Sequence, residues 1–406
     1  MKISIKNNIN IYLASALMLI ACFIYVQMIL SVSSNYHPIW SDEFFYVVNA
    51  NAFQQNNSLQ AAFTYNGIGS QFFSADAHGI AYPLLNGAFA KIAGNSNTNF
   101  IILNFILFAI TLTLVISLKS LKLQQKLYIL SSLMLFPFFQ LYAFTYMQEV
   151  IHLLFAVCLG ILIFKINLYG LTKKYLLTFV LLVFMAGVFR SLWFFWLIAL
   201  IPFANNKRQQ LFLILLFLVG IFFSFIFSYL FAEAVPNFFT QAILLLQNEN
   251  YSSFIKALWQ NFIGNANNYL FNFNASVVYF SIKLIVFIIW IFFVMKAFLT
   301  KSKLHAALAL IGFVNFFLLM FFYEANYWKE IRTMLPLFYF YILFLIPELK
   351  QNSINVLVLI LFVLFGYANK TTRQYIAQRN SVFNGNKVVI NELNKMKQIL
   401  PAKSSV

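Results

Sequence analysis

The feature that most constrains this chain is a succession of apolar runs, most about 20 residues long, punctuated by short clusters of Lys and Arg. A run of that length matches the roughly 30 Å hydrocarbon core of a bilayer when wound as an α-helix. An outer-membrane barrel would instead show alternating segments of about 10 residues. Only 9% of the 406 residues are charged and 62% are hydrophobic, against roughly 25% charged in soluble domains. An aqueous fold of this size cannot hide that much apolar side chain. The expectation is an all-α, polytopic transmembrane helical bundle of about eleven spans with a helical first outer loop.

The formal charge of +17 does not argue for nucleic acid. The basic residues sit between apolar runs, as in cytoplasmic loops that fix topology. Cys22 and Cys158 lie inside apolar runs and form no motif. The N-terminus carries Lys2 and Lys6 before an apolar stretch from Ile9 to Leu30. That stretch exceeds the roughly 7–15 residues of a signal-peptide core, so it reads as an uncleaved first span with the N-terminus inside.

The remaining spans follow by alternation. A first outer loop covers 31–97, then spans fall near 98–117, 127–147 and 150–164. Lys119, Lys122 and Lys126, and later Lys165, Lys173 and Lys174, mark the inner side. The run 176–203 has basic residues on both flanks, so it must go out and return, with Arg190 at the apex. Each limb then has about 14 residues, or about 21 Å as α-helix, which leaves the apex below the outer surface. An unpaired Arg there costs about 2.5–3.5 kcal/mol, so a water-filled cavity or an anion is expected beside it. Further spans are read near 211–232, 277–299, 304–322, up to Pro347, and 354–368. The stretch 233–276 is a second outer segment, with an amphipathic piece around Phe254 to Phe262. Residues 1–369 form the transmembrane domain, and 370–406 a short polar tail placed outside.

Of ten acidic residues, Asp42, Glu43, Asp76, Glu149, Glu324 and Glu330 fall at outer mouths. Basic exceptions there include Lys91, Arg190, Lys256, Lys329 and Arg332. Ionisable groups at depth mark function by default. If the segment after Asp42 is helical, Asp42, Tyr46 and Asn49 share one face and Glu43 points elsewhere. One carboxylate is then free for chemistry while the other holds structure or a metal. Two further features are the His78–Lys91 segment, with Tyr82 and Pro83, and the Glu330–Pro336 segment, with Arg332. Taken singly, the first reads more readily as an interfacial turn with a Pro at a helix start, and the second equally as an Arg snorkelling from the top of a span.

The order of these features — acidic pair after the first span, His/Pro amphipathic stretch, Glu at the next outer hairpin, Arg in a short mid-chain hairpin, Arg-Pro motif near the end — resembles the GT-C superfamily of membrane glycosyltransferases. The nearest branch is that of protein mannosyltransferases and lipid A aminoarabinose transferases. The resemblance covers about 1–370. The family's Lys or His followed directly by Pro-Pro is here His78-Gly79-Ile80-Ala81-Tyr82-Pro83. The resemblance implies an inverting transfer of a sugar from a polyprenyl phosphate to a glycan, lipid or protein acceptor. Asp42 would be the general base, with Glu43 second. His78, Arg190, Lys329 and Arg332 would hold the phosphate. Tyr46, Asn49, Tyr82, Glu149 and Glu330 would line the cavity, and Asp42 with Glu149 could hold a divalent cation. It also implies a bacterial inner membrane and contact with membrane lipid. The alternative from another class is a transporter or lipid-linked sugar flippase, which would place polar groups at the midplane between repeated halves. No repeat is evident. A non-catalytic scaffold is the third reading.

Overall fold

Inside hydrocarbon every backbone N–H and C=O needs an internal partner, and a helix supplies them within one segment. The computed structural model describes residues 5–34, 36–59, 81–94, 96, 98–230, 238–271, 276–322 and 330–381. Every regular element among them is helical: α1 (Ile5–Leu30), α2 (Ser41–Asn56), α3 (Ala81–Ala93), α4 (Asn99–Ile116), α5 (Leu123–Met134), α6 (Pro137–Ala143), α7 (Glu149–Tyr169) and α8 (Lys173–Phe189). A 3-10 helix (Ser191–Phe203) follows, then α9 (Lys207–Leu230), α10 (Phe238–Gln247), α11 (Tyr251–Phe271), α12 (Val277–Thr300), α13 (Lys303–Phe322), α14 (Glu330–Glu348) and α15 (Gln351–Ser381).

Seven of these helices, α1, α4, α7, α9, α12, α13 and α15, are long and apolar enough to cross a membrane. The pair α5 and α6 makes an eighth if read as one span, bent by 54°. The bend has a local cause. Pro137 opens α6, and the residue before it, Phe136, is extended at φ −67° and ψ 115°; proline disfavours the helical region for its predecessor. The 3-10 helix and the apolar part of α14 are shorter than a full span. The helical first loop is present as α2 and α3, and the amphipathic piece of the second stretch lies within α11. There Asn265 donates to the Leu319 carbonyl at 3.0 Å and Phe262 stacks on Phe321, fastening α11 to α13.

Two ends of the bundle are defined by their contacts. At the basic end, Lys296 pairs with Glu348 at 3.0 Å, and the Lys303 ammonium donates to the Ala204 carbonyl at 3.1 Å. At the acidic end, the segment after α1 meets the end of α15: Asn380 donates to the Ser31 carbonyl at 2.8 Å, and Arg373 to Gln27 at 3.0 Å. These contacts correct the boundary of the tail. Residues 370–381 continue α15, because Ala368, Thr372, Ile376 and Arg379 recur at helical spacing as a buried stripe. Composition alone misplaced them, since most residues between the positions of that stripe are polar and exposed.

The run 176–203 is a hairpin as its flanks require, with Arg190 at the break: its φ of −156° and ψ of 117° are extended and end α8. The returning limb is not α-helical. Thirteen residues of 3-10 helix, Ser191–Phe203, rise about 26 Å at roughly 2.0 Å each, where α-helix would give about 20 Å. The tighter winding therefore makes the limb longer than the roughly 21 Å expected for an α-helical one. Such long 3-10 stretches are uncommon. This one is enclosed by α8, α9 and α13, with Trp193, Phe194, Trp196 and Leu197 buried among them.

Candidate functional site

The site is assembled at the acidic end from α2 outward. Trp40, extended at φ −97° and ψ 147°, is the residue before α2. Glu43 lies in the first turn, where a carboxylate suits the free N–H groups and the helix dipole. Its Oε2 accepts the backbone N–H of Ile39 at 2.9 Å and of Trp40 at 3.0 Å. Its Oε1 accepts the Tyr146 N–H at 3.0 Å and the Arg379 guanidinium at 2.7 Å. Both Glu43 and Arg379 are 0% exposed, and the guanidinium lies over the Trp40 ring at 5.0 Å. One carboxylate thus fastens the 36–40 segment, the 144–149 segment and α15 together. Burial pushes the Tyr36 phenol above its ordinary range, with the Arg379 charge opposing. Tyr36 stays a donor, to the Phe144 carbonyl. Glu43 therefore does not fit the role of second base: four donors fill it and no face is open.

Asp42 has the opposite environment. Its side chain is 26% exposed, and its Oδ2 receives Arg332 Nη1 at 3.0 Å. The same guanidinium nitrogen is 4.0 Å from Glu149 Oε1. Arg190 Nη2 reaches that oxygen at 3.1 Å, and Arg190 Nη1 donates to the Arg332 carbonyl at 3.4 Å. Glu149, 1% exposed, opens α7, again where a helix dipole favours an anion. The anion expected beside Arg190 is thus the protein's own Glu149. Two guanidiniums, partly exposed at 14% and 12%, meet one buried and one accessible carboxylate. The four side chains come from α2, α7, the α8 break and α14.

Other sequence candidates fall differently. Tyr46, Asn49 and Tyr82 are all buried. The Tyr46 and Tyr82 rings meet edge to face at 5.2 Å, and the Tyr82 hydroxyl donates to the Met147 carbonyl at 2.8 Å. They support α2 and the 144–149 segment rather than line an open cavity, because both tyrosine rings gain more from packing than from water. His78 and Lys329 lie outside the described residues, as does the side chain of Glu330. A divalent cation held by Asp42 and Glu149 does not fit. Arg332 stands between them at 3.0 and 4.0 Å, where the ion would have to be. Among the described residues no three His, Cys, Asp or Glu cluster as a metal site.

Sequence reasoning missed Arg379, whose only signal is its place on the stripe that prolongs α15. It also missed Gln148. Both its amide atoms, with the adjoining Glu149 Oε2, are buried without a hydrogen-bond partner, each costing about 1–3 kcal/mol.

Fold and site together define an all-helical chain of multiple membrane-spanning type with a paired Arg–carboxylate cluster at one end. No family model, curated protein or solved structure matches it.

Proposed function

We propose that this protein is a membrane glycosyltransferase of the GT-C kind. It would move a sugar from a polyprenyl-phosphate donor to an acceptor at the acidic end of the bundle, which faces away from the cytoplasm. The observation that carries this reading is the Asp42–Arg332–Glu149–Arg190 cluster, in which an accessible carboxylate stands within 3.0 Å of a guanidinium. Transfer from a phosphodiester needs both at one place. The acceptor hydroxyl attacks the anomeric carbon and its proton passes to Asp42. The bond from that carbon to the phosphate oxygen breaks, and its electron pair leaves with the lipid phosphate. Negative charge thus moves from the carboxylate to the phosphate, and Arg332 and Arg190 stabilise it there. Displacement in a single step inverts the anomeric centre. Glu149 holds both guanidiniums in place, at 3.1 Å from Arg190 and 4.0 Å from Arg332.

Membranes containing the Asp42→Asn protein, given labelled polyprenyl-phosphate sugars, are expected to transfer about 10²–10⁴-fold more slowly than those with the parent protein, the usual worth of a general base. Insertion and abundance should be unchanged, because Asp42 lies at the surface of the cluster. Full activity in this variant removes the assignment. The sugar and acceptor follow from which lipid-linked glycan changes when the protein is absent.

A further inference from the structure

The transferase reading makes two demands on one guanidinium: Arg332 must hold the donor phosphate, and Asp42 must be a competent base. As the chain folds, each of the two groups occupies the other. Asp42 Oδ2 is hydrogen-bonded to Arg332 Nη1 at 3.0 Å, with the two side chains 26% and 12% exposed. A carboxylate held by a guanidinium is a poor proton acceptor, since the cation favours its charged form. The buried side of the arginine pair is already matched, by Glu149 at 3.1 Å from Arg190 and 4.0 Å from Arg332. Hence the exposed side of Arg332 is where a further anion can arrive, and Asp42 is what lies there.

We infer that the Asp42 carboxylate occupies the seat of a phosphate oxygen on Arg332. A lipid phosphoester displaces it on binding, and the displacement releases Asp42 from Arg332 to act as base. The inference rests on the transferase reading, and its test reads binding alone. Charge supports the exchange. Within the described cluster Asp42 and Glu149 balance Arg190 and Arg332, so a singly charged phosphodiester adds one negative charge to those four. That charge bears on Asp42, the only one of the two carboxylates with access to water. A planar guanidinium also matches two phosphate oxygens better than it matches the single carboxylate oxygen it holds here.

The test is the affinity of the full-length protein in detergent for farnesyl phosphate, by titration calorimetry. Farnesol, which lacks the phosphate, is the control. Removing the competing charge in Asp42→Asn should tighten farnesyl phosphate binding about tenfold or more, within the usual range for coupling between two sites, and leave farnesol unchanged. Arg332→Gln should weaken farnesyl phosphate in both backgrounds. Equal or weaker binding by Asp42→Asn overturns the exchange and leaves the transferase reading standing. So does a gain that farnesol shares, since the effect then lies with the lipid tail. Binding by neither form removes both.

Discussion

Adjacent carboxylates in this chain have opposite fates, and single-residue chemistry explains why. Helical geometry turns Asp42 and Glu43 about 100° apart, so one reaches Arg332 near the surface and the other Arg379 in the interior. Breaking a buried pair from one side strands a charge and costs about 3–5 kcal/mol, whereas removing both charges costs much less. Arg379→Met should therefore lower the thermal unfolding midpoint of the detergent-solubilised protein substantially, and Glu43→Gln with Arg379→Met should regain part of the loss. Tryptophan fluorescence on heating reads both. A double variant no more stable than the single one would mean that Arg379 acts by packing on Trp40 and Tyr36 rather than by its charge. The acidic pair itself was plain in the sequence. Which member is structural was not, because that depends on a contact 336 residues away in the chain.

At the level of elements, the all-helical, membrane-spanning character was legible because hydrocarbon length and flanking lysines are local properties; the expectation of about eleven spans was not met among the described residues, where seven helices, or eight with the bent pair, are long and apolar enough to cross. The form of the hairpin limb was not legible: its 3-10 winding answers to neighbours on three sides. Two glycines show how closely it is held. A Cβ on Gly187 of α8 would come within 2.5 Å of the Phe194 ring, and one on Gly220 of α9 within 2.9 Å of the Phe194 carbonyl. Phe194 is fully buried, so the ring has little room to retreat. Gly187→Ala and Gly220→Ala should each destabilise by about 1–3 kcal/mol, the cost of overpacking. Because Arg190 closes the same hairpin, they should also impair transfer. Midpoints unchanged within error in both variants would show that the limb is free to shift and is not the fixed support for Arg190 described above.

For the whole molecule, the decisive matter is which groups share an end of the bundle. Alternation along the chain places Asp42, Glu149, Arg190 and Arg332 together by counting apolar runs, and the hairpin at 176–203 sets the parity of everything after it. Had that run been a single span, Arg332 would lie at the end opposite Asp42; their separation of 3.0 Å excludes that arrangement. The same parity carries the end of α15 to the acidic end despite its basic residues. On the proposed orientation its position there departs from the positive-inside trend, which is a bias counted over short loops near span ends rather than a rule for each loop. Arg379 is neutralised by Glu43, so it is no longer a topological signal. A membrane-impermeant thiol reagent applied to intact cells checks this in a background without Cys22 and Cys158. Single cysteines at Asn56 and Gln378, both exposed, should be labelled together from outside. A cysteine at Lys119, exposed in the turn that follows α4, should react only after the membrane is opened. Labelling of Gln378→Cys from the opposite side to Asn56→Cys would separate α15 from Glu43 and dismantle the cluster at its support.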